Sequence, residues 1–128
     1  PKQDVSPYIT QSWCNYTKKG QWHHKHRHPN SFISGVFYVQ AEEDKDKIYF
    51  FHPKTYNQIK IHPPREWNTW NSESWWYGVR TNYMVIFPSS LEHWVAPVET
   101  EQTRISLSFN TFLKGYIGDD DSLTGLHL

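Results

Sequence analysis

The chain has 128 residues, enough for one domain with its own core and too few for two comfortable ones. Its 13 basic and 13 acidic residues cancel, which leaves no electrostatic case for a nucleic-acid partner or an anionic membrane surface. No apolar run approaches the roughly 20 residues of a membrane helix, and the opening "PKQDVSPYIT" has no signal-peptide pattern.

In chain order the signals are those of strands. "YITQSWCNY" (Tyr8–Tyr16) predicts a strand, with a turn at "TKKGQ". It contains the one cysteine, Cys14, which excludes an internal disulfide and fits a reducing, cytoplasmic setting. The sequon at Asn15 to Thr17 is therefore expected to be silent. "WHHKHRHPN" follows, and then "SFISGVFYVQ" (Ser31–Gln40), whose β-branched and aromatic residues give the strongest strand signal. "AEEDKDK" (Ala41–Lys47) predicts a turn, "IYFFH" a returning strand, and "YNQIKIH" a shorter one broken by Pro63 and Pro64. Residues 63–74 lack periodicity and suggest a loop or lid. "WWYGV" and "YMVIF" are two more strands, "HWVAPV" a short one, and "RISLSFNTF" (Arg104–Phe112) the last. Residues 113–128, Gly- and Asp-rich, predict a loop-rich tail. With no sustained 3.6-residue period, these short strands argue an all-β sandwich or barrel. Its core must lean on large aromatics, since only 37% of the chain is hydrophobic while 17% is aromatic. Trp13 and Trp94 are expected in it.

Half of the 8 histidines fall at His23, His24, His26 and His28. In an extended chain His24, His26 and His28 share one face, with Lys25 and Arg27 on the other. Two imidazoles at i and i+2 can bind one ion, and imidazole suits iron, zinc, copper and nickel. Alone, such a pattern reads first as a wet, weakly basic surface strand. His93 shifts the balance, because it begins a strand after the turn at Pro88–Ser90. Arg104 then opens the last strand, where Arg104, Ser106, Ser108 and Asn110 share a face. Facing a cavity, Arg104 and Ser106 would grip a carboxylate through a two-pronged guanidinium and a hydroxyl. Facing water, the strand would be an ordinary half-exposed one. Glu92, next to His93 on a strand, is aimed away from any such site.

The combination of "HRHPNSFISGVFYV", "FPSSLEHWVAPVE" and "RISLSFN" resembles the 2-oxoglutarate- and Fe(II)-dependent oxygenases of bacterial and phage genomes, over about Ser12 to Asn110. The resemblance implies a double-stranded β-helix (a jelly roll or cupin-like barrel) with little helix, residues 1–128 forming a single domain. Similar proteins carry more sequence before "QSWCN". Together with a first residue that is Pro, this creates the expectation of a missing N-terminal extension.

It also implies Fe(II) on a His-x-Asp/Glu pair and a distal His, with an Arg-x-Ser clamp for the far carboxylate of 2-oxoglutarate. Residue by residue, His26 matches the first ligand, His93 the distal one, and Arg104 with Ser106 the clamp. Tyr38, in "SGVFYV", matches a position near the co-substrate, although its context favours a core or interface aromatic. Asn110 either reaches the cavity mouth or holds a turn. The carboxylate position holds His28, so three neutral imidazoles would leave Fe(II) its full +2, which bound 2-oxoglutarate neutralises. His24 is the alternate third ligand.

The implied partners are 2-oxoglutarate, O2 and an unidentified substrate, with hydroxylation the default outcome and a homo-oligomer left open. Two rival readings stand beside this one. The first is a three-histidine cupin-type metalloenzyme that does not use 2-oxoglutarate. The second is a non-enzymatic jelly-roll binding module that uses the Trp-rich segment 66–77 as its contact.

Overall fold

The computed structural model describes residues 5–53 and 65–128. They form ten strands and, among these residues, no helix. The strands are β1 (Ser6–Thr17), β2 (His23–His26), β3 (Ile33–Gln40), β4 (Lys47–Phe51) and β5 (Ser74–Gly78). They continue with β6 (Tyr83–Pro88), β7 (His93–Val95), β8 (Arg104–Lys114), β9 (Tyr116–Ile117) and β10 (Leu126–His127). Eight of them build two four-stranded sheets, ordered β1-β8-β3-β6 and β2-β7-β4-β5, with every pair antiparallel. Among these eight, the chain changes sheet at every connection except that from β4 to β5. This is the jelly roll, and the class is all-β.

The alternation in β3 and β8 decides what lies between the sheets. In register, Tyr38 faces Ser106, Val36 faces Ser108 and Ser34 faces Asn110. These six point inward and are buried, while Phe37 and Leu107 point outward. Val36, Tyr38, Ile48, Phe50, Val79, Phe87 and Val95 form the apolar core between the two layers. The turns use residues that tolerate left-handed backbone. Asn30 has φ 56°, Asp44 φ 69° and Asn82 φ 65°, at the entries to β3, β4 and β6. On the outer face the ring of Phe109 lies across Gly35, so a Cβ there would collide with it.

Several sequence expectations change here. Trp13 and Trp94 are not core residues. Trp13 is exposed beside the histidines, and Trp94 points off the outer face of β7, half-buried, stacked on Tyr49 at 4.8 Å. Trp94 follows from alternation, since its neighbours His93 and Val95 take the inward positions, whereas Trp13, opposite Ser108, stands on the cavity side of β1 and reaches the rim rather than the core. The tail beyond Lys114 carries the small β9–β10 pair where loop is expected. "YNQIKIH" and Pro63–Pro64 lie outside the described residues. The described part of the lid, residues 65–73, is turn and bend, with Trp67 and Trp70 exposed.

Ile48 is fully buried in the core. Ile48→Ala is expected to lower the unfolding free energy by about 2–5 kcal/mol. It should appear as a lower urea midpoint with an unchanged slope, and an unchanged midpoint would place Ile48 outside the packed core.

Candidate metal centre

β2 is short and pairs with β7 through a bulge. His26 lies opposite His93 and His23 opposite Val95, so four residues of β2 span three of β7. Residues directly opposite in an antiparallel pair share a face, and His93 and Val95, two apart, share theirs. The extra residue therefore turns both His23 and His26 inward. This corrects the simple alternation. His24 is exposed on the outside, and His23 takes an inward place instead. Lys25 also points out, over the ring of Phe51 and 2.6 Å from Glu92, which is thus turned away from the histidines.

His28 lies past the end of β2, where its backbone N–H donates to the carbonyl of Ser89 at 3.0 Å. Ser89 is fully buried, and its hydroxyl is tied to Ser31 and Ser34, each at 2.7 Å. This serine knot brings His28 back to the strand pair. Its ring lies 4.9 Å from His26 and 5.1 Å from His93, whose own rings are 4.3 Å apart. The candidate ligand atoms of His26, His28 and His93 all lie within 4.8 Å of one another, a group that could hold a metal ion.

The hydrogen bonds of two rings fix their tautomers. Nδ1 of His26 meets the carbonyl of His24 at 2.6 Å, and Nδ1 of His93 that of Leu91 at 3.0 Å. A carbonyl only accepts, so each Nδ1 carries the proton and each Nε2 keeps its lone pair, the form that binds a metal. Burial disfavours the charged form of His93, His28 and His23. His93 is pulled down to about 4, chiefly by desolvation, with Leu91 opposing and His26 and His28 adding. His23 and His28 are lowered too, again mainly by burial.

Opening onto the same cavity are Arg104, Tyr38, Ser106, Ser108, Asn15 and Trp13. Arg104, 2% exposed, donates through Nη1 to Asp46 at 2.9 Å and to the carbonyl of Ala96 at 3.1 Å. Its Nη2 has no partner, and neither does the hydroxyl of Tyr38, which is equally buried. Desolvation raises the Tyr38 pKa, against the pull of Arg104, so the phenol stays protonated and can donate. Asn110 is drawn elsewhere. Its Oδ1 accepts from Ser34 at 2.8 Å, and it is not among the residues lining this cavity.

Two members of the site went unread in the sequence. Asp46, 4% exposed, sits in the charged turn before β4 and also accepts the N–H of Glu42 at 2.8 Å. Nothing in "AEEDKDK" distinguishes it from its solvated neighbours. His23 was hidden by the bulge.

Residues 11–110 match the model of a family described as "Putative 2OG-Fe(II) oxygenase". The crystal structure of an oxidoreductase of the 2OG-Fe(II) oxygenase family from Burkholderia pseudomallei superposes with a TM-score of 0.64 at 14% identity. The match covers 86% of this chain and 47% of that one, so this chain spans about half the length of that neighbour. No curated protein matches the sequence.

The lowered imidazoles set a pH dependence for the metal-free protein. Unfolded, His93 takes up a proton near 6.5, and folded only near 4. Between those values the unfolded chain binds more protons, so stability falls as pH falls. The loss attributable to His93 approaches roughly 3 kcal/mol at its ceiling. Urea unfolding of metal-free protein from pH 7 to pH 4 should show this decline, and His93→Gln should flatten most of it.

Proposed function

The chain belongs to the 2OG-Fe(II) oxygenase family, and on that footing we propose that it is an Fe(II)- and 2-oxoglutarate-dependent oxygenase. Its iron would be held by His26, His28 and His93, and its co-substrate by Arg104 with Ser106 and Tyr38. One observation carries this reading. A cluster of three imidazoles, of which His26 and His93 have free Nε2 atoms, shares a cavity with two buried donors, Arg104 Nη2 and Tyr38 Oη, that have no acceptor. Buried donors left unmade cost stability, and a small dicarboxylate bridging from ion to guanidinium would satisfy both. The residues present fit the group.

Each side chain then has a part. The imidazoles of His26, His28 and His93 would hold the ion. Bound iron supplies oxygen activation, with 2-oxoglutarate giving up two electrons and one carbon to become succinate and CO2 while one oxygen atom goes to the substrate. Arg104 and Tyr38 orient the far carboxylate, and Ser106 stands beside Tyr38 in register to share that task. Val36 and Val95 wall the cavity with apolar surface and exclude water. Trp13, at the rim with its ring 5.9 Å from that of His28, is placed to meet the substrate whose hydrogen is removed.

Two measurements check this reading. Wild-type protein should take up one equivalent of Fe(II), while His26→Ala and His93→Ala should not. Anaerobic addition of 2-oxoglutarate should give a weak visible charge-transfer band, and Arg104→Ala should weaken that binding at least about tenfold. Succinate formation under O2 should track both. Stoichiometric metal without the band or succinate would favour the three-histidine enzyme that does not use 2-oxoglutarate. No metal uptake would favour the binding module.

A further inference from the structure

We propose that Asp46 makes the clamp electrically neutral, so that the site selects 2-oxo acids by their chelating end and discriminates little on the charge of the far end. This deepens the proposed function and rests on it. Three neutral imidazoles contribute no charge, so a divalent ion there keeps its full +2. Arg104 adds +1 at the other end of the cavity, and Asp46, ion-paired to it at 2.9 Å with both side chains buried, returns the sum to +2. A dianionic co-substrate then closes the site at zero. The carboxylate that the histidine set lacks is present, but it lies behind the guanidinium.

The two ends of a bound 2-oxo acid would therefore meet unequal fields. Its keto-carboxylate end faces an undiluted divalent charge. Its far end faces a guanidinium whose Nη1 is already committed to Asp46 and to the carbonyl of Ala96. What remains is Nη2 and the neutral hydroxyl of Tyr38, both hydrogen-bond donors. The buried Asp46 carboxylate, one guanidinium away, repels a second anion in an environment that screens little. A neutral acceptor at the far end keeps the hydrogen bonds and escapes that repulsion. Asp46 is thus a positioning residue that aims Nη2 at the cavity and mutes its charge.

The test is equilibrium binding, measured by calorimetry on protein loaded with redox-inert Mn(II). The probes are 2-oxoglutarate, its 5-methyl ester and 2-oxopentanoate. For wild-type protein the ester is expected within about tenfold of 2-oxoglutarate, the scale separating a charged from a neutral hydrogen bond. 2-Oxopentanoate, which leaves both donors unmade, should bind more weakly than either. Asp46→Asn, which unmutes the guanidinium, should raise the preference for 2-oxoglutarate over the ester by about tenfold or more. A purely structural Asp46 would lower stability and leave that ratio alone. A wild-type preference for 2-oxoglutarate of about a thousandfold or more, or a ratio unmoved by Asp46→Asn, overturns the proposal while leaving the oxygenase reading intact. Should Asp46→Asn fail to fold, the wild-type series decides alone. If none of the three 2-oxo acids binds the metal-loaded protein, the oxygenase reading falls and this proposal falls with it.

Discussion

His26 and His93 face each other across two neighbouring antiparallel strands, and the rest of the cavity is laid out from that contact. A directly opposed pair is fixed by the ladder itself, since the backbone bonds set both Cβ positions. Bringing two imidazoles that close, with Nδ1 of each given to a carbonyl, leaves two lone pairs aimed into a shared, poorly hydrated space. Protonating His93 would place a charge there against desolvation and against His26. The low proton affinity of His93 is the direct result. A site that resists the proton while presenting free nitrogen lone pairs is suited to a divalent cation, which brings charge and takes coordination together.

Around this pair the interior is more polar than folding needs. Arg104, Asp46, His93, Ser34, Ser89, Ser106, Ser108 and Asn110 are all buried. Burying an ion pair in place of well-packed apolar side chains is at best neutral for stability. The polar groups divide by whether they are satisfied. Ser31, Ser34, Ser89 and Asn110 are bonded to one another and close off the end of the sandwich near His28. Arg104 Nη2 and Tyr38 Oη are not satisfied, and each such group costs about 1–3 kcal/mol. Satisfied polarity builds the fold, whereas the unsatisfied pair is what a ligand can use.

The strand content and the inward face of β8 were legible in the sequence because they depend on local alternation, and β3 and β8 keep it where they face each other between Ser34 and Tyr38. Arg104 and Ser106 point between the sheets for that reason alone. Alternation failed at β2, where one extra residue against β7 exchanged the roles of His23 and His24. A bulge is a property of two strands together, so one strand's residues do not reveal it. Asp46 was illegible for a similar cause. Its carboxylate differs from those of Glu43 and Asp44 only in what stands opposite, a guanidinium 58 positions further along the chain. Trp13 and Trp94 misled through their size. Their side chains suit a core, but Trp94 neighbours two inward-facing positions and so faces out, while Trp13, opposite Ser108, stands at the cavity rim instead of between the sheets.

The third imidazole is held differently from the other two, and this bears on how the centre can work. His26 and His93 belong to the ladder, but His28 sits beyond the last residue of β2 and hangs from one backbone bond to Ser89. Its ring is stacked on His93 at an interplanar angle of 23°, with the ring of Trp13 5.9 Å away. A member outside the sheet can turn without breaking a ladder bond, so rearrangement of the set is cheapest at His28. That is also the position where the resemblance to the family implies a carboxylate. A neutral ligand there needs no compensating cation nearby, while an anion would have added its charge to that of Asp46 across the cavity. With Asp46 already behind Arg104, a histidine at 28 keeps the empty site free of net charge. On the proposed reading the two features are one adjustment, with the anion placed at the arginine and a neutral ring where the ion would sit.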